Sequence, residues 1–245
     1  MFNKSPFILK RVFVPLLLLV CLSSCKEEVK PLEFETIFVE DNFQTEIEVA
    51  FDMAKENSDV AKNINKEIKK AILKNIPISE NSKIETIDEA LKDFETQFLN
   101  FKNDFEDSEQ TWYLSVETEL IYKSENIITM GLSTYSDTGG AHGNGTIQFL
   151  NFNPETGKIL PQTEFISNMD GFKKLAESFF LDHMKNEGTD VSEFFFGKPF
   201  QLPENIGFND EGVILLYNTY EIASYNQDYI EFVIPMETAQ DFLSF

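Results

Sequence analysis

Alternation sets in at Thr45: Ile47, Val49 and Phe51 fall on one side of an extended segment and Glu46 and Glu48 on the other. That period of two predicts a half-buried strand over 45–51, with an earlier strand beginning near Glu35. At Val60 the period changes. Val60, Ile64, Ile68 and Ile72 recur every four residues, with Ser58 placed to cap a helix and Pro77 to close it. A second helix is predicted from Ser82, where Ser82-Lys83-Ile84-Glu85 has the spacing of a capping box. Ile84, Ile87, Leu91, Phe94, Phe98, Phe101 and Phe105 then follow at alternating steps of three and four, a seam expected to pack into the core. Asp104, Glu106 and Asp107 oppose the dipole at its end, so the last turn is expected to fray.

Extended segments return with Trp112, Leu114, Val116, Thr118, Leu120 and Tyr122 on one face and Tyr113, Ser115, Glu117, Glu119 and Ile121 on the other. A turn at Ser124-Glu125-Asn126 leads to Ile128, Met130, Leu132 and Thr134, forming a meander, and Ile147 to Phe152 is again strand-like. A third helix is predicted from about Asp170 to Glu187, with Phe172, Leu175, Ala176, Phe179 and His183 on its apolar face and Gly188 beyond its end. Phe194-Phe195-Phe196-Gly197-Lys198-Pro199-Phe200 is too short for a helix and is expected to plug the core. Two strands, Val213 to Tyr220 and Tyr229 to Ile234, flank the loop that joins them. Strands and helices come in separate runs, which predicts an α+β fold of antiparallel sheets with packed helices, arranged as two small domains in tandem.

The first 24 residues are different in kind. Lys4, Lys10 and Arg11 precede an apolar run from Val12 to Leu22, too short to span a bilayer, and Leu22-Ser23-Ser24-Cys25 has the form of a lipobox. Residues 1–24 are thus expected to be a lipoprotein signal peptide, Cys25 the lipidated residue and 25–34 a tether. Two or more acyl chains there would make a durable membrane anchor, since one chain alone binds only marginally. Lys26-Glu27-Glu28 beside the cysteine implies either export to the cell surface or a solvated tether. Cys21 falls in the removed segment, so no disulfide is expected. The expected location is the outer membrane, with the cell surface open as an alternative.

Charge narrows the partners. The chain has 20 basic and 42 acidic residues; without Lys4, Lys10 and Arg11, 17 basic residues remain and the formal charge is −25. A surface that tracks phosphates needs clustered Lys and Arg, so nucleic acid is not an expected partner. A cationic protein suits such a surface, and acidity that serves only solubility stands beside that reading.

Candidate chemistry gathers in Thr134 to Gly145, which holds four of the eleven glycines and one of the two histidines. The glycines permit positive φ or close approach of another group. Asp137 and His142 lie in this segment, but no HExxH pattern, histidine pair at ligand spacing or GxSxG elbow accompanies them. No cofactor or metal is expected, and His142 is read first as bonding a neighbouring backbone carbonyl. His183, at the end of a helix, is read as structural.

Tyr135 through Gly143, Asn151-Phe152-Asn153 with Thr156-Gly157-Lys158, Gly207 through Gly212, Leu216 through Tyr225 and Ile234-Pro235 resemble the extracellular region of RsiV-type anti-sigma factors. The part before the glycine segment is similar to the domain that precedes the catalytic module of PdaC-type peptidoglycan deacetylases. The resemblance implies an α+β pair of domains, 35–145 and 146–245, in the cell envelope, and the corresponding RsiV region binds lysozyme. Neither a sigma-binding segment with its membrane helix nor a deacetylase module is recognisable, so signalling and deacetylation are not expected. What remains is a lipid-anchored envelope protein, not an enzyme, that binds a protein ligand, such as a cationic lysozyme-like muramidase, or a glycan. Asp137, His142, Tyr220, Glu221 and Tyr225 are the candidate contacts. An envelope hydrolase using Asp137 and His142, and a purely structural or assembly lipoprotein, are the alternatives.

Overall fold

The structure is a computed structural model that describes residues 32–39, 41–55, 57–80, 82–223 and 229–245. The expected signal segment, Cys25 and Tyr225 lie outside the described residues. Strands β1 (Phe34–Phe38) and β2 (Glu46–Ala54) are followed by helices α1 (Asp59–Asn75) and α2 (Ile87–Asp104) and by strands β3 (Tyr113–Lys123), β4 (Ile128–Asp137) and β5 (Asn144–Phe152). Then come the short α3 (Gln162–Phe165), α4 (Met169–Asn186), β6 (Asn205–Phe208), β7 (Gly212–Tyr217), β8 (Ile230–Pro235) and a last short helix, α5 (Met236–Ala239). Sheet order is β1-β2-β3-β4-β5 in the first sheet and β6-β7-β8 in the second.

The fold is α+β, and every pair but one is antiparallel. β2 runs parallel to β3, Glu46 opposite Tyr113 and Ala50 opposite Glu117, because α1 and α2 intervene and bring the chain back to the end where β2 began. Both helices press on one face of the sheet. Ile64, Ile68 and Ile72 of α1 and Ile87, Leu91 and Phe94 of α2 share a core with Val49, Phe51, Leu114, Val116, Met130, Leu132, Leu150 and Phe152. The aromatic seam is therefore core for most of its length; Phe94, Phe98 and half-buried Phe101 surround the Trp112 ring at 5.5–5.9 Å, while Phe105, past the helix end, is exposed.

Ser58 caps α1 as expected, its hydroxyl accepting from Ala61 N at 3.1 Å. The cap of α2 sits four residues later than the pattern implied. Thr86 Oγ1 accepts from Glu89 N and Glu89 Oε2 accepts from Thr86 N. The same carboxylate also accepts from Glu85 N, and these donors hold its pKa below the usual range, the Glu85 bond most. Ser82 instead donates to the Ser79 carbonyl, so the first of two overlapping capping patterns is spent on a turn.

In the second half, α4 buries Phe172, Ala176, Phe180 and Met184, a stripe rotated from the expected one; Leu175, Phe179 and His183 are only half-buried. Phe180 stands at the centre, with the rings of Phe194, Phe195, Phe200, Tyr217 and Phe232 within 5.5–6.1 Å. The phenylalanine-rich segment thus does enter the core through Phe194, Phe195 and Phe200, but Phe196 is exposed. β6, α3 and α5 carry too few residues to impose a period and were not predicted. The strand expected to reach Tyr220 ends at Tyr217, where the backbone turns.

The two cores lie in one compact unit, residues 32–245. β5 crosses the expected division at 145/146 and pairs with β4 on both sides of it, from Asn144 opposite Ser136 to Phe152 opposite Ile128. Its other edge is closed by the second half. Asn218 grips Ile147 with both ends of its amide, accepting from the N–H and donating to the carbonyl, each at 2.8 Å. Asn205 Oδ1 accepts from Phe149 N, and the Asn151 carbonyl accepts from Leu160 N. Asn151 also donates to the Ile206 carbonyl while accepting from buried Thr129.

Truncating Phe94 to Ala is expected to lower the free energy of unfolding by about 3–5 kcal/mol. Thr86→Ala should cost about 1 kcal/mol through the lost cap, and Ser82→Ala much less. Chemical denaturation of the three variants checks both statements; equal losses at 82 and 86 would contradict the placement of the cap.

Candidate functional site

The glycine-rich segment is the turn between β4 and β5. At its start Asp137 Oδ1 accepts from Gly139 N at 2.9 Å, folding the chain back on itself. Gly139 has φ of 77°, and its carbonyl accepts from Gln110 Nε2 at 2.8 Å. Gly143 lies against the ring of Tyr135, so near that a Cβ there would fall 2.2 Å from the tyrosine oxygen. Glycine at these two positions thus answers a positive φ in one case and a close approach in the other.

Between them, exposed His142 directs Nδ1 to the Gly143 carbonyl at 2.9 Å. A carbonyl only accepts, so Nδ1 carries the proton of that bond, and in neutral imidazole Nε2 is left as an acceptor. Facing Nε2 at 3.3 Å is the hydroxyl of Tyr220. Two candidates separated by 78 positions in sequence are thereby brought together, one from each half of the chain. Asp137 is turned to the Gly139 amide and His142 to the Gly143 carbonyl, which is the arrangement of a turn and not that of a base oriented by a carboxylate.

Tyr220 takes φ of 70°, in the left-handed region, on the tight connection after β7. Glu221 next to it faces inward. One of its oxygens accepts from Glu204 N at 2.8 Å and the other from Asn218 N at 2.9 Å, so this carboxylate ties the connection to the segment before β6. The same Asn218 clasps β5, and the position of Tyr220 against His142 follows from that chain of bonds.

Aromatic rings extend the contact on either side. Tyr113, opposite Asp137 in the β3–β4 register, lies 5.9 Å from Tyr135 and donates its hydroxyl to Glu48 at 2.9 Å. Exposed Tyr229 precedes Ile230, the partner of Tyr217, and so stands at the register position opposite Asn218. Neither Tyr113 nor Tyr229 was picked out from sequence: each merely opens a strand, and only the register shows that both reach the same end of the molecule as Tyr220. Among the described residues no group of three or more His, Cys, Asp or Glu side chains converges as metal ligands would, and no helix is long and apolar enough to cross a membrane.

Burial raises the pKa of Glu221 above the usual carboxylate range, against the two backbone donors, which lower it. Below the ordinary carboxylate pKa the group is neutral folded or unfolded; as pH rises toward the raised value the unfolded chain ionises first, and this component of stability is lost. Compared with Glu221→Gln, the wild type should therefore become relatively less stable as pH rises from about 4 to 7. Parallel thermal melts across that range measure it, and a difference that does not change with pH would contradict the assignment.

Comparison with known proteins divides the chain in the same region. Residues 39–145 match the family model described as Deacetylase PdaC, and residues 152–237 match that of a Protein of unknown function, DUF3298. Among solved structures the chain is similar to a DUF3298 family member from Bacteroides fragilis, at 17% identity over 87% of this chain and 94% of that one, with a TM-score of 0.67. It is also similar to a DUF3298 family protein from Pseudomonas aeruginosa, at 22% identity over 87% of this chain and 95% of that one, with a TM-score of 0.63. No curated protein matches the chain. At these identities the structural likeness speaks for the fold alone: a region that matches the PdaC model is followed by one that matches the DUF3298 model, on the fold of DUF3298 proteins of known structure.

Proposed function

We propose that this chain is a cell-envelope protein, lipid-anchored through Cys25, that binds a protein ligand at the end of the molecule where His142 meets Tyr220, with no catalysis of its own. The observation that carries the reading is that contact. It joins the β4–β5 turn, in the region that matches the PdaC model, to the connection after β7, in the region that matches DUF3298, and the side chains of both His142 and Tyr220 are exposed. Loops so placed are where binding residues concentrate. Tyrosine and histidine there offer an apolar ring and a polar tip at small cost in conformational freedom, as protein-binding surfaces do.

Charge indicates the kind of partner. Beside the Tyr113 ring stand Glu46 and Glu48 of β2, exposed side chains on a chain of formal charge −22 before any processing. A cationic protein is the complement, and a lysozyme-like muramidase is the representative that the RsiV-type resemblance names. Electrostatic steering would speed the encounter and be screened by salt over about 8–10 Å, whereas desolvated ring contacts would persist. A hydrolytic role for Asp137 and His142 is told apart by a second assay, on cell-wall material.

Titration of hen lysozyme into the fragment 32–245 by calorimetry, at low and at physiological salt, is expected to show saturable one-to-one binding that survives the higher salt. Tyr220→Ala should weaken it about tenfold or more, the cost of losing a central aromatic contact. Heat that disappears with salt, or a Tyr220→Ala variant that binds like the wild type, would remove this reading; steady release of muropeptides from cell-wall material by the fragment, lost on His142→Ala, would replace it with the hydrolytic one.

A further inference from the structure

Three non-glycine residues among those described have positive φ: Phe195 at 55°, Phe196 at 53° and Tyr220 at 70°. A phenylalanine in the left-handed region crowds its Cβ against the backbone, so such residues persist only where something else holds them. All three belong to one place. Phe195 N donates to the Ile222 carbonyl at 2.7 Å, joining the turn Phe194–Gly197 to the connection that carries Tyr220.

The fold accounts for one of the two phenylalanines and not the other. Phe195 is half-buried, with its ring 5.3 Å from Phe200, 5.5 Å from Phe180 and 5.8 Å from Tyr217, so its packing offsets its backbone. Phe196 is 63% exposed, and no ring of the described residues stacks on it. Glycine would satisfy its φ with less strain, and any polar residue would suit its exposure better. The chain nonetheless places a large apolar side chain there, two residues from Phe194 in the core.

We propose that Phe196 is an apolar anchor for a protein partner: a side chain held outward by the strained turn, on the Tyr220 side of the molecule, for insertion into a pocket on a cationic protein. The proposal rests on the protein-binding reading above and adds a second, independently removable contact to it. Exposed Glu187, Asp190 and Glu193 lead into the turn against a single Lys198 after it, which selects a pocket with a basic rim. That acidic setting also disfavours the other natural home for an exposed phenylalanine, an anionic bilayer surface. Aromatic side chains buried at the centre of a contact carry a disproportionate share of binding energy, and one already fixed in position loses less freedom on binding.

The test is the calorimetric titration with hen lysozyme, applied to Phe196→Gly and Phe196→Leu beside the wild type, with melting temperatures of all three. Phe196→Gly is expected to melt higher than the wild type, because strain is relieved and no core contact is lost, and to bind at least tenfold more weakly; Phe196→Leu should recover most of the affinity. Wild-type affinity in Phe196→Gly would overturn the anchor while leaving the Tyr220 contact standing, whereas absence of wild-type binding would overturn both. If the glycine variant does not fold, Phe196→Ala takes its place under the same criteria. Sedimentation of the wild type, but not the glycine variant, with phosphatidylcholine vesicles would assign Phe196 to a lipid surface and overturn the protein anchor as well.

Discussion

A sheet edge has to end somewhere, and in this molecule the outer edge of β5 sets how the two halves relate. Its outward backbone groups at Ile147, Phe149 and Asn151 would be costly to leave unpaired at a covered boundary. A further strand laid alongside would have merged the two sheets into one. Instead the amides of Asn218 and Asn205 and the N–H of Leu160 meet those groups one by one. Side-chain amides imitate a peptide group without requiring the chain behind them to be extended. The second sheet can therefore keep its own direction and its own core, centred on Phe180, while remaining bonded to the first.

The candidate site inherits its geometry from that seam. Asn218 is held on β5 by its side chain, and its own N–H is held by Glu221, whose other oxygen reaches back to Glu204. Tyr220 lies between these two fixed residues and has little choice of where to point. On the opposite side the Asp137 turn and the Tyr135 ring under Gly143 fix His142. Two separately supported loops thus hold Tyr220 and His142 in fixed positions, which lowers the ordering cost of any contact made there.

How much of this was legible in the sequence differs by element for physical reasons. Long periodic segments declared themselves: the Ile64–Ile68–Ile72 stripe, the Phe94 seam and the alternation through Val116 each commit many residues to one period. Where two patterns overlapped, local rules could not choose; Ser82 and Thr86 both begin a capping sequence, and only the bonds of Glu89 decide between them. The phase of the α4 stripe cannot be read from sequence because Phe179, Phe180 and Leu181 are all apolar, so it is set by the sheet beneath it. Four-residue elements such as β6 leave no trace. At the site, the glycines and His142 were visible as an irregularity and Tyr220 as part of a motif, but their contact is a product of tertiary structure. The parallel β2–β3 pair was likewise hidden, since a two-helix crossover and a pair of separate domains read alike until the strands are placed.

At the far side of the first sheet, β1 is bonded to β2 alone, and none of its five residues is buried. Among the described residues, this strand is the first element of the fold. Mechanically, that makes β1 a lead-in. A pull on the N-terminal side of β1 is met first by the β1–β2 ladder, and opening it also lifts Leu32, Phe34 and Val39 off the first core, while α1, α2 and β2–β5 remain packed on one another. Tension could then lengthen the connection by a strand without disturbing the end of the molecule where His142 and Tyr220 meet.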